Sequence, residues 1–265
     1  MHISKSLSLL LAGSTTLVAG SAAHGPFRPR GEPVLMNKPY PNVTIAGVTV
    51  IDTPTVRLAQ EYTRNHSTEA VFKHQMRAWL FGSLIIAANE TLRNTVDIEV
   101  QAVSALLHDL GWDMTPNSTV TTVDHRFEVD GAIASRKFLE KYGDESWDAR
   151  RIQLVWDAIA LHTTRGIAYF KEAEVGLTSM GIAVDYDGPR AEVPDPIYSR
   201  ITTEYDNSDL VAATNETFTF FCAFKPAQTY DNQLQPWGER YVPGYNTTGN
   251  LRIDNIFKYA ISQGK

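Results

Sequence analysis

Apolar residues recur along most of this chain at the three- and four-residue spacings of helices, and the signal for strands is poor. The clearest stripe is Val96, Val100, Val103, Leu107 and Leu110, stepping by four, three, four and three residues. It predicts an amphipathic helix, capped by Asp97, that carries its core-facing stripe into His108, Asp109 and Leu110. Gly111 follows directly and is expected to close that helix in the left-handed conformation. Earlier, Thr53 and Pro54 form a cap and first turn, predicting a helix to about residue 62. Residues 68–88 read as a longer helix, apolar on most sides and therefore buried, with His74 on it. Further helices are predicted over 127–142 and 147–162. In the second, Ile152, Val155, Ile159 and His162 share one stripe, so His162 faces the core. A short helix after Gly166 is expected to reach 175, and two more cover 209–224 and 251–261, joined by an aromatic, Pro/Gly-rich loop. Short apolar runs at 43–45 and 48–51 suggest one small strand pair. The fold class is all-α, with one helical domain over 54–265.

The first 53 residues depart from this pattern. Lys5, an apolar run to Ala19 and the small residues Ser21, Ala22 and Ala23 have the order of a secretory signal peptide over 1–23. Residues 24–53 contain Pro26, Pro29, Pro33, Pro39 and Pro41 and read as an extended Pro-rich lead-in. Asn-x-Ser/Thr sequons begin at Asn42, Asn65, Asn89, Asn117, Asn215 and Asn246. Signal and sequons together point to a secreted or vacuolar eukaryotic glycoprotein. The single Cys222 excludes an intramolecular disulfide and sits in an apolar stretch, as an inert core thiol would. A net charge of −6 with no basic block excludes a nucleic-acid partner. No segment is long enough to hold the protein in a membrane once the signal is removed.

An ionised Asp at the buried end of a helix is costly unless it is paired or bound to a metal. At a helix terminus, adjacent His108 and Asp109 can converge on one cation, and imidazole with carboxylate suits zinc, iron or manganese. A histidine on an apolar face is more often a hydrogen-bonded core residue, so the dipeptide needs further ligands to carry weight. Candidates are His74 and, after a later apolar run, Asp185, with Asp187 as the alternative.

His74, His108-Asp109 and Asp185 stand in the order H…HD…D, which resembles the HD superfamily of metal-dependent hydrolases over roughly residues 54–190. The strings FKHQMRAWLFG (72–82), LLHDLG (106–111), HRFEVDGA (125–132), AIALHT (158–163) and GIAVDYDGP (181–189) are similar to fungal HD proteins related to cyanamide hydratase. The resemblance implies an HD-domain helical bundle and a single divalent ion, zinc foremost with iron or manganese as alternatives. Its implied ligands are His74, His108, Asp109 and Asp185. Asp109 would also orient water, His162 would line the pocket or support the ligands, and Phe72, Trp79, Trp112 and Phe127 would wall it. His125 does not fit the spacing of two-metal relatives, and Glu128 and Arg126 contribute to the pocket or pair at a helix start. The implied activity is addition of water to a small carbon–nitrogen substrate, with cyanamide to urea as the specific case. An export signal is a departure from that relative. One alternative is a phosphohydrolase using Lys73, Arg77, Arg126 and Lys137; another is a secreted secondary-metabolism or binding protein with a structural metal.

Overall fold

The computed structural model describes residues 40–264, so the expected signal peptide and most of the Pro-rich lead-in lie outside the described residues. The described chain opens on an antiparallel hairpin, β1 (Asn42–Ile45) and β2 (Val48–Ile51), with Ile45 opposite Val48. Its two-residue turn places both Ala46 (φ 47°) and Gly47 (φ 80°) at positive φ, the geometry that matches strand twist. Among the described residues the elements after it are helices, with one isolated bridge between Arg190 and Val193, in agreement with the all-α expectation.

Helices α1 (Pro54–His66), α2 (Glu69–Ala88), α3 (Glu90–Thr95) and α4 (Ile98–Leu107) come first. Thr53, Thr68, Asn89 and Asp97 cap them, each accepting a hydrogen bond from a backbone N–H of the first turn. Then follow α5 (Phe127–Tyr142), α6 (Ala149–Leu161), α7 (Arg165–Ala168) and α8 (Ala173–Asp187). The chain continues with α9 (Asp195–Glu204), α10 (Leu210–Phe224), α11 (Gln235–Tyr241) and α12 (Arg252–Ser262). No helix among the described residues is long and apolar enough to cross a membrane.

The organising helix is α4, surrounded by α1, α2, α6 and α8. It is not the one-sided stripe that the spacing predicts: every residue from Glu99 to Leu107 is buried. It is also shorter than predicted. Helical hydrogen bonding ends at Leu107, and Asp109 takes bridge-region angles (φ −105°, ψ 24°) that lead into a 3-10 turn over Leu110–Trp112. Gly111 is therefore needed for closeness and not for positive φ. A Cβ there would lie 2.0 Å from the Phe127 carbonyl oxygen, so only glycine lets the corner press against the start of α5.

The most extensive helix pair is α2 with α8. Gly181 packs against Gly82 and Ala78, and a Cβ on it would come within 2.4 Å of the Ala78 carbonyl oxygen. The backbones can approach this closely only because Gly181 has no side chain there. The spacing predicts a short helix ending at 175 and a separate apolar run before Asp185, whereas α8 runs unbroken through Gly176 and Gly181. Burial from Glu174 to Asp185 explains how one continuous helix tolerates both: tertiary packing outweighs their helix propensity. Helix α11 likewise lies within the stretch read as a loop.

Two apolar clusters result. The larger gathers the central helices, and the second joins Val71, Trp112 and Phe127 to Phe218, Phe221, Cys222 and Leu234. Cys222 is buried as expected, its thiol donating to the Leu234 carbonyl at 3.3 Å. All six sequon asparagines are on the exposed surface.

Candidate metal centre

His108 and His162 occupy the same structural position on different helices. Each is the C-cap of a helix, the buried α4 and the amphipathic α6, and each turns back on the carbonyl three residues earlier. His108 Nδ1 lies 2.8 Å from the Ala105 oxygen and His162 Nδ1 lies 2.6 Å from the Ile159 oxygen. The last carbonyls of a helix have no intrahelical partner, so the imidazole supplies one. A carbonyl only accepts, which puts the hydrogen on Nδ1 and leaves a lone pair on Nε2 in the neutral ring.

His74, from the middle of α2, reaches the same state differently. Its Nδ1 donates to Asp185 Oδ2 at 2.6 Å, and Arg77 Nε donates to Asp185 Oδ1 at 2.7 Å. Arg77 is itself held by the carbonyls of Tyr205 and Asp206 at 3.1 and 2.9 Å. Burial alone would push the Asp185 carboxyl up, but these bonds from His74 and Arg77 hold it below the usual carboxylate range.

The three Nε2 lone pairs therefore face inward. His74 and His108 bring theirs to 3.2 Å, and Asp109 Oδ2 lies 3.7 Å from the first and 3.1 Å from the second. His162 Nε2 is 3.5 Å from the other oxygen, Asp109 Oδ1. Both Asp109 oxygens are buried without a hydrogen-bond partner. Burial opposes ionisation of Asp109, and positive charge among the imidazoles around it, His108 foremost, holds its carboxyl below the usual range. Burial, then His108, pushes His162 down to about 4, so it is neutral near pH 7. Lone pairs and an anion pointing at one another are repulsive unless a cation sits among them. Among the described residues, His74, His108 and Asp109 are the group whose donor atoms lie close enough together to hold a metal ion. The donor set of neutral imidazole and carboxylate fits a divalent ion of the zinc type.

The sequence expectation is thus only partly reproduced in space. His74, His108 and Asp109 converge. Asp185 stands behind His74, outside the cluster, because both its oxygens are engaged by His74 and Arg77. Asp187, the alternative, is exposed and pairs with Arg165 at 3.2 Å. His162 comes nearer the cluster than pocket lining requires. His125 is half exposed, 3.3 Å from Asp130, and belongs to a different network with the buried Lys225.

Above the centre is a cavity of about 320 Å³. Trp112 and Phe127 wall it as predicted, whereas Trp79 is in the central core and Phe72 packs against Arg64. Tyr186, Phe218 and Trp237 complete the aromatic lining. Tyr186 adjoins Asp185 in sequence and could have been inferred. Phe218 and Trp237 carry no motif and arrive through α10 and α11. Thr163 also lines the cavity, its hydroxyl donating to buried Glu128 at 2.6 Å. Glu128 further accepts from Arg126 at 2.6 Å and Gln233 at 2.8 Å.

Of the cations considered for phosphate, Arg77 is committed to Asp185, Arg126 to Glu128, and Lys73 lies 3.5 Å from Asp209. None of these, nor Lys137, lines the cavity; Arg165 does so at its edge.

Comparison with protein families matches the chain, over residues 71–210, to the family described as HD domain. That span is more than half of the chain and contains His74, His108, Asp109, His162 and Asp185. No curated protein matched the sequence.

Proposed function

The chain belongs to the HD-domain family, and on that premise we propose that it is a metal-dependent hydrolase or hydratase acting on a small, neutral carbon–nitrogen compound. The observation that carries this reading is the convergence of three imidazole lone pairs on the buried, unpartnered carboxylate of Asp109. In the proposed site His74, His108 and Asp109 hold the ion and His162 is the fourth ligand. Asp185 then serves as the carboxylate behind a ligating histidine, fixing its tautomer and ring orientation. A bound divalent ion would supply Lewis acidity and lower the pKa of a bound water.

The remaining chemistry belongs to the protein's own groups. Asp109 stays ionised despite burial and can accept a hydrogen bond that orients water in the cavity. Thr163 has already given its hydrogen to Glu128, so toward a substrate it offers only an acceptor. That favours a group bearing N–H. Tyr186 packs edge-on to His74 with ring centroids 5.3 Å apart and closes that side of the cavity.

Cyanamide, hydrated to urea, is the simplest substrate of this kind, supported by the similarity of the five strings to cyanamide hydratase relatives. A phosphohydrolase is less favoured because, beyond the proposed ion, the lining brings a transferring phosphoryl group only Arg165, which is paired with Asp187. The test is a panel of cyanamide, nitriles, amides and phosphoesters, assayed before and after chelation. Metal-dependent hydration or hydrolysis at carbon supports the reading, and phosphate release without it overturns it. Export forms part of the proposal, supported by the order of residues 1–23 and the exposed sequons. A change in electrophoretic mobility on deglycosylation of protein collected from culture medium checks it.

A further inference from the structure

The reactive group proposed above occupies little of the cavity. A molecule of three heavy atoms needs about two waters' share of space, on the order of 60 Å³. The cavity of about 320 Å³ falls in the size range of pockets for ring-bearing ligands. Its floor is His74, His108, Asp109 and His162, and its walls carry the five rings of Trp112, Phe127, Tyr186, Phe218 and Trp237. Water left against such walls is unfavourable, so the cavity is shaped for more than the reacting atoms.

The walls are held in a fixed arrangement. Trp112 meets Phe218 edge-on at 5.4 Å and 72°, and Phe218 meets Trp237 at 5.0 Å and 87°. Both are edge-to-face pairs of the favourable kind. The Trp237 indole N–H donates to Asn215 Oδ1 at 2.7 Å, which fixes the ring at the rim. Val211, Thr214, Asn215, Phe218 and Trp237 all follow residue 210, where the family match ends. The ion-holding floor thus lies within the family match, and this part of the wall lies on the C-terminal helices that follow it.

Among the described residues the walls also carry little charge. Arg165 is the cationic side chain of the lining, and its guanidinium lies 3.2 Å from Asp187. An ionised substituent on the ligand would lose water without gaining a partner.

We propose that the site takes a neutral substrate carrying an aromatic ring, with the ring between Trp112, Phe218 and Trp237 and the carbon–nitrogen group toward Asp109. This rests on the reading of the site as a hydrolase centre, but its test is equilibrium binding. Calorimetric titration of the full-length protein as purified compares phenylcyanamide, cyanamide and phenyl phosphate. Burying on the order of 100 Å² of ring surface at about 25 cal/mol per Å² makes phenylcyanamide bind roughly 70-fold tighter than cyanamide. Trp237→Ala and Phe218→Leu each reduce that ratio at least about five-fold, with circular dichroism confirming the fold; the Leu variant preserves most of the wall's volume. Equal affinity for phenylcyanamide and cyanamide, an unchanged ratio in both folded variants, or tighter binding of phenyl phosphate overturns the proposal. Turnover separates the two claims. Strong binding of phenylcyanamide without reaction on any substrate removes the hydrolase reading and keeps the ligand class. Hydration of cyanamide with no advantage from the ring does the reverse.

Discussion

His74 and Asp185 face each other at 2.6 Å, although 111 residues separate them in the chain. Their contact follows from a second one: Gly181 lies against Gly82, drawing α8 onto α2. His74 is two turns from Gly82 on one helix, and Asp185 one turn from Gly181 on the other. The ring orientation of a candidate ligand is thus set by the absence of a side chain elsewhere.

Gly181→Ala should weaken folding and metal binding together. Its Cβ would fall 2.4 Å from a backbone oxygen, so one helix must move. Overpacking of this kind costs about 1–3 kcal/mol or more, read from denaturant midpoints of metal-free protein. Wild-type stability in the variant would contradict the close approach.

Asp185→Asn separates an orienting carboxylate from a ligand. As the group behind His74 it should cost roughly 10–100-fold in metal affinity, with full stoichiometry recovered at excess metal. His162→Ala should cost more. Competition with a chromogenic chelator measures both, and a reversed order would return Asp185 to the ligand set.

Acid stability reports on Glu128. Burial opposes its ionisation, but Arg126 and Thr163 hold its carboxyl below the ordinary value of 4.5. A depressed carboxyl pKa contributes stability that is complete above the unfolded value. That contribution is lost as pH falls through the folded one. Glu128→Gln should therefore lose stability at pH 7 and show a flatter decline toward pH 3 than the parent. Urea unfolding across that range is the check, and parallel curves would contradict the pairing.

Thr163→Val keeps shape and removes the hydroxyl. If that oxygen accepts a substrate N–H, kcat/KM for N–H-bearing substrates falls by about 10-fold or more, from a lost hydrogen bond of 1–3 kcal/mol. Substrates without N–H lose less. An equal loss on both would place the effect in Glu128, left with one donor fewer.

The sequence revealed the all-α fold and most helix starts because caps such as Thr53, Thr68 and Asp97 are local chemistry. The residues at the centre of the site were also legible, since a buried His-Asp pair needs a reason to be there. What escaped was long-range. The bonds that occupy Asp185 depend on how α8 meets α2, and spacing along the chain cannot show a partner 108 residues away at Arg77. Gly176 and Gly181 hid α8 because glycine signals a break locally while permitting packing globally. The aromatic wall at Phe218 and Trp237 resembles ordinary core until α10 and α11 fold over the cavity.

If His74, His108 and Asp109 hold a divalent ion, elemental analysis of purified parent protein beside Asp109→Ala will show it. Near one ion per chain in the parent and a trace in the variant is the predicted result. Equal traces in both, persisting after supplementation with zinc, iron and manganese, would contradict it.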